Sequence, residues 1–477
     1  MIEYNLPENF RKRFEREVVY VMKTKKIFGM SIKITQNRKT IYERNFGSRE
    51  REGQKPVNSD TLFGIASMTK SLTCLAILLL QEQTKLNIND PITKYVPISL
   101  GLKDHPITIR HLMCHASGIP DLGTYGIPIN NEELNSLKLP YIPMNNWDDF
   151  YFHINDATDE IISEPGKKFY YSNDGFTILG QIVEKASGQK YEEFVKKEIL
   201  EKLQMKRSTF SRTELEQMDN VSKGYDDNYD DKVLKRKAKP ATSGPFNSGA
   251  GGLNSSVNDL TSYLQMQLNK GIFNGTRIIS EELIQEMQKP HNKNSKSNDY
   301  LFGFKDEGYG YGLTVIENFF GKKLIYHSGS SGTSGGVYCF IPELDITYAH
   351  LQNVDSPTRY LSVLAMTLLL GLDPDEQLPY FKKRKHYAEL VGKYKSYKNL
   401  TEVEIFFKNG LLYLREKGDE ETFPLIPQSF EADTMDFYIP QENGRLDISF
   451  YTHNKEILFD YERSLMHKTD FQKEDYS

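Results

Sequence analysis

The sequence predicts an α+β protein built on an antiparallel sheet flanked by helices, followed by a separate all-β, barrel-like domain. Three observations carry that expectation. Strand-like apolar runs recur at residues 29–47, 311–316, 323–328, 335–341 and 344–352, a pattern that suits one antiparallel sheet. Apolar residues sit at helical spacing after Ser67, at Leu72, Leu75, Ala76, Leu79 and Leu80, and a second helix is expected after Ser356; the two would cover the sheet. Beyond a Pro- and charge-rich stretch from Asp373 to Lys385 the pattern becomes strand alternation. Val403, Ile405 and Phe407 lead to Asn409-Gly410, Leu411 and Tyr413 return, and Asn443-Gly444 precedes Leu446, Ile448 and Phe450.

The first strands, 29–47, form a hairpin through Gln36-Asn37-Arg38. A chain of 477 residues exceeds one typical domain, and 38% hydrophobic with 26% charged residues is a globular composition. A net charge of -5 and a pI of about 6.1 give no global attraction for nucleic acid or an anionic membrane. The basic run Lys232 to Lys239 is balanced by Asp226, Asp227, Asp230 and Asp231, so it reads as a solvated hairpin. Cys74, Cys114 and Cys339 show no paired spacing and lie in segments that read as buried, which predicts free thiols in a reducing compartment. The N-terminal 26 residues are charged throughout, and the longest apolar run, LAILLL, is too short to span a bilayer. A soluble, cytoplasmic protein is the expectation.

The residues that carry chemistry fall in three groups. In Ser67-Met68-Thr69-Lys70 the serine and lysine share one helical face at a helix start. A serine hydroxyl needs a base within hydrogen-bond reach, and a lysine serves if its charged form is destabilised, as the positive end of a helix dipole would do. A second match, Ser187-Gly188-Gln189-Lys190, reads as a helix end with a glycine stop. The second group is Tyr171-Ser172-Asn173, preceded by Glu164-Pro165-Gly166 and followed by a helical stripe through Phe176, Leu179 and Val183. The third is His327-Ser328-Gly329, ending the strand-like run Lys323 to Tyr326. Two metal look-alikes fail on chemistry. His111 and His115 stand at i and i+4 but Leu112 occupies the place of a zinc hydrolase's glutamate, and Asp226, Asn228 and Asp230 lack the glycine and bidentate glutamate of a calcium loop. No metal and no cofactor is expected.

The segments TLFGIASMTKSLTCLAILLLQEQTKLNINDPITKYVP (61–97), ITIRHLMCHASGIPD (107–121) and GAGGLNSSVNDLTSYLQMQLNKG (249–271) resemble, in order and spacing, the serine β-lactamase-like family. That family includes class C β-lactamases, D-aminopeptidases, low-molecular-weight penicillin-binding proteins and CubicO-like esterases. The resemblance covers roughly residues 20 to 370 and implies a mostly helical insertion from about 76 to 300, with the active site in the cleft beside it. It further implies Ser67 as nucleophile, with Lys70 and Tyr171 as a coupled proton pair in which the lysine cation supports a phenolate. Asn173 would bind the substrate amide. Gly329 would admit the substrate backbone, and the N–H of Ser330 would complete the oxyanion hole with that of Ser67.

His327 stands where many relatives have a lysine that holds the substrate carboxylate, and Gly332-Thr333-Ser334-Gly335 departs from their usual loop. A mostly neutral imidazole among the substrate-binding residues favours the aminopeptidase-like and esterase-like branches over β-lactam hydrolysis. The C-terminal segment resembles small barrel domains appended to some D-aminopeptidase-like members, where it would cap the cleft, mediate homo-oligomer contact or be inert. The expected organisation is a catalytic domain over 1–378, a linker over 379–386 and a β domain over 387–477. The expected function is a serine hydrolase acting through an acyl-enzyme on amide or ester bonds of a small molecule or short peptide. Alternatives are β-lactamase or penicillin-binding activity, or an idle peptide-binding scaffold.

Overall fold

The computed structural model describes residues 6–101, 104–124, 126–127, 142–161, 163–230, 233–239, 246–293, 303–304, 306–408, 410–429 and 431–469, with backbone alone for 226–230 and 233–239. The expected turn residue Asn409, the charged pair Asp231 and Lys232, and parts of the expected helical insertion lie outside them. Two compact units divide between Leu369 and Leu370.

The first unit opens with α1 (Phe10–Thr24) and the hairpin β1 (Gly29–Gln36) and β2 (Lys39–Gly47). Helices α2 (Thr69–Glu82), α3 (Asn173–Ser187) and α4 (Val257–Leu268) follow. The chain then returns through β3 (Glu307–Tyr309), β4 (Thr314–Phe319), β5 (Lys322–Ser330), β6 (Gly335–Ile341), β7 (Ile346–Gln352) and α5 (Tyr360–Leu369). One antiparallel sheet results, in the order β2-β1-β7-β6-β5-β4-β3. The strand expected at 311–316 starts only at Thr314, because Gly310 to Leu313 turn between β3 and β4, with the Gly310 N–H donating to the Leu313 carbonyl (2.8 Å).

Every residue of β6 is buried, as a strand covered on both faces must be. Tyr338 donates to Ser71 of α2 (2.5 Å) and its ring meets Tyr263 of α4, while the next side chain, Cys339, faces Ser362 of α5 on the other side. Tyr360 of α5 also reaches Glu17 of α1 (3.0 Å), so α1 and α5 share that outer layer. Helix α4, within the stretch expected as insertion, packs directly on the sheet.

The sequence predicted an apolar stripe on α2; in the structure every residue from Thr69 to Leu80 is buried. Such a helix is enclosed all round, between the sheet and α3, and each buried leucine contributes roughly 1.5–3 kcal/mol. That makes α2 a rigid post for whatever its N-terminus carries. At Gly188 the second Ser-x-x-Lys match ends α3 in a left-handed cap, as its sequence implied. The run from 224 to 239 forms a β-hairpin, Gly224–Asp230 against Val233–Lys239. All three cysteines are free and buried.

In the second unit the stretch expected as a linker, 379–386, is helical and belongs to α6 (Pro379–Leu390). Pro379 occupies the first helical position, where its missing N–H costs nothing, and Phe381, Tyr387 and Leu390 are buried. Eight strands then close into a barrel, β8 (Gly392–Lys395), β9 (Glu402–Lys408), β10 (Leu411–Glu416), β11 (Phe423–Pro427), β12 (Asp436–Gln441), β13 (Gly444–His453), β14 (Glu456–Tyr461) and β15 (Ser464–Thr469). Val403, Ile405, Ile448 and Phe450 face its core with Tyr387 and Tyr394, and closure leaves no free sheet edge. The expected fold class, an α+β sheet-and-helix domain plus an all-β barrel, is the one observed. Among the described residues no helix is long and apolar enough to cross a membrane.

Candidate active site

A small open cleft lies in the first unit, lined by Ala66, Ser67, Asn173, Asn247, the turn Ala250–Asn254, Ser330, Ser331 and Thr333. Ser67 lies in a short 3-10 turn, Ala66–Met68, that feeds α2. The preceding Ala66 has φ +46°, a strained left-handed conformation for a residue with a side chain, which lifts Ser67 out of the helix line toward the cleft.

One turn along α2, Lys70 is completely buried. Its Nζ makes three hydrogen bonds: to Ser67 Oγ (2.9 Å), Asn173 Oδ1 (2.8 Å) and the Ala250 carbonyl (2.7 Å). Burial pushes its pKa down to about 7, against the opposing pull of Asp121, Cys74 and Asp174. The glycine turn holds its place because α2 binds it rung by rung. Thr73 donates to the Gly249 carbonyl (2.6 Å), Lys70 to that of Ala250, and the Leu253 N–H to Thr69 Oγ1 (3.3 Å). Position 249 must be glycine, since a Cβ there would stand 2.5 Å from the Phe176 carbonyl of α3.

Ser172 caps α3 by accepting from the Gly175 N–H (3.1 Å), which sets Tyr171 and Asn173 beside Lys70. Tyr171 is 37% exposed, and its hydroxyl lies close enough to Ser67 to interact with it. Burial around that hydroxyl raises the phenol's pKa, tempered by Ser67 and reinforced by the Asp121 carboxylate. Lys70 Nζ lies over the ring face, 4.9 Å from its centre. Burial thus works against both members of the expected phenolate and lysine-cation pair. This environment favours a neutral amine and a protonated phenol.

Asn173 Nδ2 donates to Asp121 Oδ2 (3.0 Å), and its backbone N–H donates to Asp121 Oδ1 (3.3 Å). The next residue, Asp174, is buried and accepts from the Leu122 N–H and from Thr124, anchoring the loop that carries Asp121. Burial raises Asp174 to about 6, and repulsion from Asp121 adds to the rise.

His327 does not line the cleft. It is 4% exposed, and both ring nitrogens are used internally: Nε2 accepts from Tyr309 (2.9 Å) and Nδ1 donates to the Ser328 carbonyl (2.7 Å). Burial, with the Lys70 cation, pushes its pKa down to about 3. Neither ring nitrogen is left free for a substrate, and alternation puts His327 on the same face of β5 as Gly329, the face toward the serine turn and Lys70. Gly329 is adjacent to the serine turn, and the protein's own backbone supplies a reason for a glycine there. A Cβ would lie 2.0 Å from the Ile65 carbonyl, so the close approach is made by the protein's own backbone. Ser330 borders the cleft, with its hydroxyl on Asp355 (2.6 Å).

The sequence reading missed Asp121, although it ends one of the quoted segments, and the Ala250 carbonyl, which has no side-chain signal. It also missed the structural work of the two histidines near 111. His111 completes the cap of a short helix with Thr108, and His115 accepts from the Ser172 N–H (3.1 Å) while packing 4.3 Å from the Tyr171 ring.

A serine on a helix head against a buried lysine, between an antiparallel sheet and a helical lobe, defines the class of serine β-lactamase and penicillin-binding-protein folds. The family profile described as Beta-lactamase matches residues 14–372, and that of the Pab87 octamerisation domain matches residues 374–467. The chain belongs to the β-lactamase family, whose fold generally serves serine hydrolases. It is 27% identical over 411 residues to Penicillin-binding protein 4* of Bacillus subtilis (strain 168), covering 80% of this chain and 83% of that protein. Identity to Protein flp of Staphylococcus aureus (strain MW2) is 25% over 393 residues, covering 79% and 68%. Among solved structures, the octameric penicillin-binding protein homologue from Pyrococcus abyssi is similar at 34% identity and TM-score 0.81, over 96% of this chain and 99% of that one. A class C β-lactamase shares the fold at 18% identity and TM-score 0.61, over 78% and 98%.

Proposed function

We propose that the chain is a serine hydrolase that cleaves amide or ester bonds of small substrates through an acyl-enzyme on Ser67. The observation that carries the reading is the set of three bonds around a buried Lys70. When the amine is neutral, its two hydrogens satisfy Asn173 Oδ1 and the Ala250 carbonyl, and its lone pair is left for the Ser67 hydroxyl. Ser67 Oγ attacks the substrate carbonyl as its proton passes to Lys70 Nζ. The developing oxyanion is received by the N–H groups of Ser67 and Ser330. Collapse expels the amine or alcohol, which takes a proton from the Lys70 ammonium by way of the Tyr171 hydroxyl. Water then attacks the acyl-enzyme by the same relay and restores Ser67.

Substrate choice is supported by the polarity of the site. Amides, hydroxyls and backbone groups line the cleft among the described residues, the Asp121 and Asp355 carboxylates bond cleft residues, and His327 is unavailable as an anchor. A short peptide or ester bearing a free amine suits this better than a penicillin carboxylate, in keeping with D-aminopeptidase-like or esterase activity. Free buried thiols support a reducing, cytoplasmic setting. The barrel, by its match to an octamerisation domain, supports self-association, and light scattering on the full chain should give a multiple of 55.1 kDa.

Intact mass after exposure to a fluorophosphonate tests the central claim. One adduct is expected on the wild type and none on Ser67→Ala, with the thermal midpoint nearly unchanged. Labelling that persists in the variant refutes the assignment.

A further inference from the structure

We propose that Asp121 is a positioning residue that fixes the orientation of the Asn173 amide, so that its oxygen faces Lys70 and the lysine lone pair stays directed at Ser67. The inference deepens the functional reading above and rests on it. An ionised carboxylate offers only acceptors, so the end of the Asn173 side chain that meets Asp121 Oδ2 at 3.0 Å must be the NH₂. The opposite end, 2.8 Å from Lys70 Nζ, is then necessarily oxygen. Asp121 also accepts from the Asn173 backbone N–H through its other oxygen, which stops the carboxylate turning away.

Orientation matters because of what a flipped amide would do. With Nδ2 turned toward Lys70, a neutral amine would accept from it, and the lone pair needed to deprotonate Ser67 would be consumed. An ammonium would meet a donor instead of an acceptor. Both protonation states of the base would be compromised by a rotation that changes the shape of the site very little.

The choice of a carboxylate at 121 has a cost that a purely structural role would avoid. Asp121 faces Asp174, and the repulsion helps to raise the Asp174 carboxyl. An asparagine at 121 would remove that repulsion and keep the shape, yet it would offer one acceptor and one donor in place of two acceptors. Its donor would face either the Asn173 N–H or the Asn173 NH₂. The second clash is relieved by flipping Asn173, the outcome that disables the lysine.

The discriminating experiment compares Asp121→Asn with Asp121→Ala. Alanine leaves the Asn173 NH₂ to water and does not drive a flip, whereas the isosteric asparagine does. Asp121 is exposed, so both variants should fold, with thermal midpoints at or above the wild-type value. Rates of Ser67 acylation by a neutral p-nitrophenyl ester are measured from pH 5 to 9. Asp121→Ala, which frees the amide to sample both orientations, should lower the high-pH plateau by a few-fold, and Asp121→Asn, which favours the flipped one, should lower it about 10- to 100-fold, as when general-base help is withdrawn.

The acid limb gives a second readout. The charged and titratable groups that face Lys70 are Asp121, Asp174, Cys74, Tyr171, His115 and His327. Asp121 is the acid whose charge most supports the lysine cation, so its loss should move the limb to lower pH in both variants while asparagine depresses the plateau more than alanine does. Asp121→Gln carries the same donor conflict and replaces Asp121→Asn if the latter unfolds. If the wild type does not acylate Ser67, the functional reading fails and this inference falls with it. If the wild type acylates and asparagine or glutamine is tolerated as well as alanine, the functional reading stands and the role of Asp121 is overturned.

Discussion

Lys70 should make Ser67 acylation titrate near neutrality. An ordinary lysine, with pKa 10.5, would be neutral at pH 7 in only about 3 molecules in 10,000, whereas at about 7 half the molecules carry the free amine. Burial in α2 thus raises the supply of active base at pH 7 by about 10³-fold. Acylation by an uncharged activated ester should rise through a midpoint near 7 and fall to about one hundredth of its plateau by pH 5. The same burial acts on stability with a definite sign. Between about 7 and 10.5 the unfolded chain holds the lysine proton and the folded one has lost it, so raising the pH favours folding by about 1.4 kcal/mol per pH unit from this group. Below about 7 both states are protonated and the full destabilisation is present. Lys70→Met removes the titration, so the difference between the thermal midpoints of wild type and variant should change from pH 7 to pH 9 in the wild type's favour. A flat acylation profile between pH 5 and 8, or a midpoint above 9, would refute the reasoning.

Gly329→Ala should lower kcat by about 10²-fold, since a Cβ 2.0 Å from the Ile65 carbonyl forces β5 away from the serine turn by an ångström or more. Steady-state kinetics with the same ester check it, and a variant of normal activity would show that the contact relaxes elsewhere. His327→Lys should lower the thermal midpoint without raising turnover of a chromogenic cephalosporin, because position 327 is buried against Tyr309 and a lysine there adds a second interior cation beside Lys70. A gain in the cephalosporin rate would return this strand position to the substrate side.

How far the site was legible follows from the range of the contacts involved. Ser67 and Lys70 are neighbours along one helix, so their pairing is written in spacing alone. Tyr171 and Asn173 needed a family resemblance, because nothing local says that the head of α3 meets the head of α2. The burial of His327 was not legible, because its hydrogen bond to Tyr309 comes from a neighbouring part of the sheet that local spacing does not place. Residues 379–386 read as a linker from proline and charge, signals that also suit a helix start with one buried stripe. The barrel was visible as alternation, whereas its closure depends on the long-range pairing of Gly392–Lys395 with Ser464–Thr469.

One of the three oxygens around Lys70 belongs to the main chain, and this gives the site a part that no codon change can delete. A saturation survey of single substitutions would register Ser67, Lys70 and Asn173 as losses of a chemical group, yet the Ala250 carbonyl persists whatever residue stands at 250. It can be disturbed only by moving the turn, so its signature would surface one position earlier, as intolerance of any side chain at Gly249, where a Cβ meets the Phe176 carbonyl at 2.5 Å. Genetic maps of this site would therefore misplace one of its ligands onto a glycine that touches neither the lysine nor the serine. Replacing the amide at that carbonyl by an ester through chemical synthesis weakens the oxygen as an acceptor without altering any side chain, and a comparison with an ester elsewhere in the turn would separate this from the lost Gly251 N–H bond to the Asn247 carbonyl (2.8 Å).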